Sequence, residues 1–190
     1  CEPLFNNKAN YTFGRQLGGE HSHYSEKRIF AKYFPDQTLN GQKDFFCNNA
    51  NAALRYSDWH RMRFDEELTG LEDLELGKRL VQRGGAVVYV PEAAVYHFHH
   101  ETWAQVQRRF EREAIALQHI MPNIHVGPSD LARYIFTSVF KDWLAALRDG
   151  VLHREALDIL RYRWHQYVGV YKGNHHHRLL SHVIRAGIFR

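Results

Sequence analysis

Long hydrophobic runs are missing from this sequence of 190 residues. No apolar stretch approaches the roughly 20 residues that a membrane-crossing helix needs. The chain does not open on the charged-then-apolar pattern of a signal peptide. Cysteine is scarce: Cys1 and Cys47 are the only two. They give no disulfide framework of the kind that staples small secreted domains, and the usage fits a reducing compartment. There is no internal repeat and no low-complexity tract. Nor does charge of one sign dominate, since 25 Lys and Arg stand against 21 Asp and Glu, a formal net charge of +4 with 14 His uncounted. That near-balance, without a recognition motif, argues against a nucleic-acid partner despite an isoelectric point of about 9.1. With 44% hydrophobic and 24% charged residues, the chain can bury a core, and disorder is not indicated. The first residue is Cys1 rather than Met, within what reads as folded sequence. The expectation is an upstream part in the natural polypeptide.

What is present divides at a few breakers. Residues 22–34 carry Tyr24, Ile29, Phe30, Tyr33 and Phe34 at helical spacing, and Pro35 stops that helix. Residues 44–53 (DFFCNNANAA) read as a short strand entering an Asn-rich loop, and residues 57–62 as a short helix or turn, with Ser57 a candidate N-cap. Residues 71–83 form an amphipathic helix with Leu71, Leu74, Leu80 and Val81 on its buried side, ended by Gly84-Gly85. Residues 86–90 predict a strand that Pro91 breaks, and residues 93–98 predict a second. Thr102 with Gln105 is a capping-box pair for a helix running to about Ile120.

From Pro128 the sequence turns helical and basic. Pro128-Ser129-Asp130 starts a helix whose stripe of Leu131, Tyr134, Ile135, Val139, Trp143, Leu144 and Leu147 ends at Gly150. A second stripe joins Leu157, Leu160, Trp164, Tyr167, Val168 and Tyr171, with Arg154, Arg161, Arg163 and Lys172 off it. Residues 176–189 repeat the mixture. The expected organisation is an α/β region over residues 1–125 and a basic amphipathic helical extension over residues 126–190. Helix-on-helix packing accounts for the stripes, and contact with an anionic membrane is the alternative.

The densest chemistry lies in residues 64–99, FDEELTGLEDLELGKRLVQRGGAVVYVPEAAVYHFH. Glu72-Asp73 sits at a helix start, where the dipole and free backbone N–H groups hold an acid ionised. Two close carboxylates also shift each other's pKa. His97 and His99, at i and i+2 of a strand, point to one face as paired ligands must, while His100 points to the other. Each residue has a plainer role available. First-turn acids commonly serve only the helix dipole, and strand-end histidines commonly hydrogen-bond for structure. Asn48, Asn49 and Asn51 can satisfy their own loop backbone, and Trp103 can pack on a core. His175–His177 reads as a loop or helix start.

Taken in order, FFCNNANAALRYSDW, FDEELTGLEDLELGKRLVQRGG and VVYVPEAAVYHFHHE resemble, over residues 45–110, the C-terminal half of a GT-A-fold nucleotide-sugar glycosyltransferase of the large inverting family, family two. GRQLGGEHS at residues 14–22 is similar to the segment before the acceptor-side helix in bacterial rhamnosyl- and polysaccharide-type members. The resemblance implies an α/β GT-A half followed by the helical extension. It assigns the general base to Asp73, with Glu72 orienting the acceptor or tuning that base. Asn51 stands where the family places its Asn, and Asn49 and Trp103 join it as substrate contacts. His97 or His99 would complete a divalent site (Mn²⁺ or Mg²⁺) begun by an upstream Asp-x-Asp.

This sequence departs from the family in having no Asp-x-Asp and no nucleotide-binding first half. Both would lie upstream or on another chain. Gln105-Val106-Gln107-Arg108 is followed by Arg109 where processive synthases carry Trp, which implies single addition. The function expected is transfer of one sugar from a nucleotide-diphospho-sugar to a hydroxyl of a cell-surface glycan or lipid-linked acceptor. The place expected is cytoplasmic, peripheral on the inner face of the plasma membrane. The rival reading is a non-enzymatic helical adaptor that binds an anionic membrane or an acidic partner.

Overall fold

The computed structural model describes residues 2–37 and 44–177. The chain is mixed α/β and forms two compact units, one of Cys1–Ser22 and Glu26–His100, the other of His23–Ser25 and Glu101–Arg190. In chain order the elements are α1 (Glu2–Phe5), β1 (Tyr11–Gly18), α2 (Tyr24–Tyr33), a 3-10 turn (Asn49–Asn51), β2 (Ala52–Leu54), α3 (Tyr56–Arg61), α4 (Glu72–Gln82), β3 (Val87–His97), α5 (Trp103–Ile120), α6 (Pro128–Arg148) and α7 (Leu152–Asn174). Among the described residues, no helix is long and apolar enough to cross a membrane.

The first unit is built on a three-stranded sheet of order β2-β1-β3. Central β1 runs antiparallel to β2 and parallel to β3. Alternation puts Tyr11, Phe13, Val87 and Tyr89 into one core with Phe30 and Phe34 of α2, Leu76 and Leu80 of α4, Cys47 and Met62. The sequence pattern missed β1. Its polar Thr12 and Gln16 are buried, so YTFGRQLG lacks the apolar-polar contrast that marks a half-buried strand.

Other elements depart from expectation for local reasons. Residues 44–48 form no strand; the strand follows the Asn-rich turn, over Ala52–Leu54. Ser57 lies inside α3, whose N-cap is Arg55 without a side-chain cap. In α4 the fully buried leucines are Leu76 and Leu80, while Leu71 and Leu74 are half-buried. Pro91 does not divide β3. It falls where the register slips, Gly14 facing Val90 and Arg15 facing Ala94, and a residue without an N–H is tolerated at such a bulge.

The second unit is helical, and it takes α5, which the sequence reading grouped with residues 1–125. Gln105 accepts the Thr102 backbone N–H at 2.8 Å, as the capping pattern predicts. Asp130 accepts the Gly127 N–H at 3.0 Å, with Pro128 opening α6. Helices α5 and α7 cross closely because Gly169 and Gly173 of α7 present bare backbone to Gln107 and Glu111 of α5. The packed side of α6 is Val139, Asp142 and Ala146; that of α7 includes Ile159, Tyr162 and Arg163.

Arg163, placed off the apolar stripe by the sequence, is therefore buried. Its guanidinium donates to Asp142 Oδ2 from Nε at 2.8 Å, and Ser25 donates to the same oxygen at 2.7 Å. Of the stripe that periodicity selected, Leu157, Leu160 and Trp164 are exposed, while Tyr167, Val168 and Tyr171 are half-buried. The segment 178–189 lies outside the described residues.

A methyl group at Gly169 would overlap the Gln107 carbonyl oxygen, which is backbone and cannot swing away. Gly169→Ala should destabilise the chain by about 1–3 kcal/mol, although Ala is the better helix former by about 1 kcal/mol. Urea unfolding followed by helical circular dichroism checks this; a gain in stability would refute the close crossing.

Candidate functional site

The acidic pair opens α4. Its N-cap, Leu71, has φ 58° and ψ 25°, a left-handed backbone that costs an L-residue about 1–2 kcal/mol. The chain thus enters Glu72 and Asp73 through a strained corner. Asp73 is only 7% exposed. Its Oδ2 accepts the Asn49 N–H at 2.8 Å and its Oδ1 the Leu74 N–H at 2.7 Å. The Cys47 thiol donates to the Asp73 carbonyl at 2.9 Å, and the Tyr11 hydroxyl donates to Asn49 Oδ1. Asp73 therefore pins the loop of Cys47–Asn49 to the helix start, while Glu72 stays half-buried beside it.

Burial pushes the Asp73 carboxyl above the ordinary carboxylate range. The Glu72 charge adds to this, and the N–H groups of Asn49 and Leu74 oppose it. Burial likewise pushes up the Tyr11 hydroxyl and the Cys47 thiol, both near the same carboxylate. A carboxylate has about four lone-pair sites, and two of those on Asp73 are taken by backbone. The remaining ones leave it able to accept one further proton or hydroxyl.

Asn51 is placed apart from Asp73 in its contacts. Its amide donates to the Ala93 carbonyl at 2.6 Å, across Gly14, where any Cβ would overlap both groups. Asn51, Gly14 and Ala93 line a cavity of about 90 Å³ with Thr12, Phe13 and Val90. That volume holds water but is below the roughly 300 Å³ of small-molecule pockets. Asn48, in turn, accepts from Gln16 at 2.6 Å and from the Ala50 N–H at 2.9 Å.

His97 and His99 do come together. Strand β3 ends at His97, yet the two Nε2 atoms stand 3.0 Å apart and His99 Nδ1 meets Glu26 Oε1 at 2.8 Å. Phe30 lies against both rings. A His99 that donates from Nδ1 to Glu26 accepts at Nε2 from His97. Glu26 was invisible to the sequence reading, because no local signal joins residues 73 positions apart. Two cis ligands at about 2.1 Å from a metal would also be about 3 Å apart, and a carboxylate behind a ligating His is the common supporting arrangement. Either ring would have to give up the His97–His99 hydrogen bond before its Nε2 could ligate a metal. Among the described residues, no group of three or more His, Cys, Asp or Glu is arranged to hold a metal ion.

Trp103 belongs to the helical unit. Its ring lies 4.7 Å from that of His23 and stacks at 5.8 Å on His165. His23 in turn meets Asp158 at 3.0 Å. Tyr11, Cys47 and Gly14 are the site residues that sequence reasoning passed over. Recognising β1 would have placed Tyr11 and Gly14; the burial of Cys47 carries no sequence signal.

A carboxyl whose pKa is raised by folding binds its proton more tightly in the folded state. The stability it adds is fully present below the ordinary carboxylate pKa and is lost as pH rises through the raised one. The melting temperature of the wild type minus that of Asp73→Asn should thus fall as pH is raised from acid toward neutral. A flat difference in a thermal-denaturation series would show that Asp73 titrates normally.

Comparisons with protein-family models, curated proteins and solved structures give no match to this chain.

Proposed function

We propose that this chain is the acceptor-side half of an inverting glycosyltransferase of GT-A type. It moves one sugar from a nucleotide-diphospho-sugar to a hydroxyl of a glycan or lipid-linked acceptor. The observation that carries the reading is Asp73, a buried carboxylate with a raised pKa at a helix N-terminus entered through a left-handed Leu71. Strained backbone and a desolvated acid are features that cluster at functional sites.

In this reading Asp73 takes the acceptor proton as the acceptor oxygen attacks the anomeric carbon. The bond to the diphosphate breaks, and the nucleoside diphosphate leaves with the electron pair. Glu72 orients the acceptor or keeps the Asp73 pKa high. Asn49 holds Asp73 through its N–H, while Asn51 is assigned to substrate. His97 or His99 would supply one nitrogen to Mn²⁺ or Mg²⁺, whose charge would offset that of the diphosphate. The oxygen ligands and the nucleotide site would come from an upstream Asp-x-Asp half. The working place is cytoplasmic, on the inner face of the plasma membrane.

A panel of nucleotide-sugars, with and without Mn²⁺, tests this on the natural polypeptide. One donor should turn over, and Asp73→Asn should lower kcat by roughly 10²–10⁴-fold while nucleotide binding persists. Undiminished turnover in the variant would remove Asp73 from the chemistry. Silence across the panel would favour the non-enzymatic adaptor, to which the exposed apolar residues of α6 and α7 lend support.

A further inference from the structure

Helices α6 and α7 form a hairpin whose inner side is the Asp142–Arg163 contact, and whose α7 glycine side is taken by α5. The remaining side is apolar and uncovered among the described residues. On α6, Phe136 is 73% exposed, with Phe140 stacked parallel to it at 6.3 Å and Leu147 two turns on. On α7, Leu157, Leu160 and Trp164 are exposed at helical spacing. The Trp143 indole N–H donates to the Ala156 carbonyl at 3.0 Å, which brings the two stripes side by side. Monomeric proteins rarely leave so continuous an apolar face uncovered.

The exposed charges beside that face that have no partner are basic. Lys141, Arg148, Arg154, Arg161 and Lys172 are exposed, and none makes an ion pair among the described residues. Most acids of the same hairpin have partners, Asp142 in Arg163, Asp158 in His23, Asp149 in the Tyr24 hydroxyl at 2.7 Å and Asp130 in Arg133, while Glu155 is half-buried. Aromatic and leucine side chains flanked by unpaired Lys and Arg are the pattern of an interfacial helix. Apolar groups enter the headgroup boundary while cations meet anionic lipid.

We propose that this side of the α6–α7 hairpin docks on an anionic lipid bilayer. The surface deepens the peripheral placement proposed above, but it stands on these side chains and not on the transfer chemistry. Charge decides the occupant: a second copy would bring a second basic rim against the first, whereas an anionic bilayer neutralises it. Lying flat, the hairpin needs no helix able to span.

The full chain should co-sediment with vesicles of phosphatidylglycerol and phosphatidylcholine but not with phosphatidylcholine alone. High salt should weaken the binding. The triple variant Phe140→Ser/Leu157→Ser/Trp164→Ser should lose at least roughly tenfold in partitioning; Arg154→Gln/Arg161→Gln should lose binding selectively at low anionic content. All three positions of the triple variant are exposed, and matching circular dichroism and melting curves confirm that it folds. Wild type left in the supernatant, or equal sedimentation of wild type and the triple variant, would overturn the proposal. So would a concentration-dependent dimer in light scattering that the triple variant disperses, without vesicle binding. Turnover on a water-soluble acceptor is scored separately, so failure of docking is distinguishable from failure of the transferase reading.

Discussion

The Asp73 carboxylate bridging the Asn49 N–H and the start of α4 is the constraint on which the first unit is arranged. A buried carboxylate is costly to desolvate, and it stays where it is only because N–H groups face it. Satisfying it draws the Cys47–Asn49 loop against α4, and the loop then delivers Asn49 to Tyr11 and Asn48 to Gln16 on β1. Helix start, loop and central strand are thus held by one polar network in an otherwise apolar core. Lengthening the loop or removing the Asp73 carboxyl would loosen all three.

The same unit spends backbone strain and close approach next to that network. Leu71 is left-handed where the chain enters the helix start that carries Glu72 and Asp73. Gly14 gives up its side chain so that Asn51 can cross the sheet to Ala93 beside the slipped register of β3. These departures from local preference fall on the central strand and at the start of α4.

The helical unit solves a different problem, that of burying polar groups between long helices. Asp142 and Arg163 are buried as an ion pair completed by Ser25. Such a pair adds little net stability against an apolar substitute, but breaking one side leaves an unpaired charge. It fixes the register of α6 on α7, as Gly169 and Gly173 fix α7 on α5. With these inward contacts made by small and polar residues, much of the aromatic and leucine surface is left to the outside.

Periodicity by itself determined where α2, α4, α5, α6 and α7 run, because amphipathic spacing, capping residues and Pro or Gly stops are local properties of the chain. It also set Glu72-Asp73 on a helix start, and His97 and His99 within reach of each other. It did not determine which side of α6 and α7 is packed: helical spacing marks an apolar side but not its partner, and here Arg163 went in while Trp164 stayed out. Only tertiary structure decided that β1 is central, since a strand covered on both faces loses its alternation. Tertiary structure alone brought Glu26 to His99, and Asn49 and Cys47 to Asp73. These groups lie 73, 24 and 26 positions apart, and what joins them is the burial of their shared polar atoms, which exists only once the chain has folded.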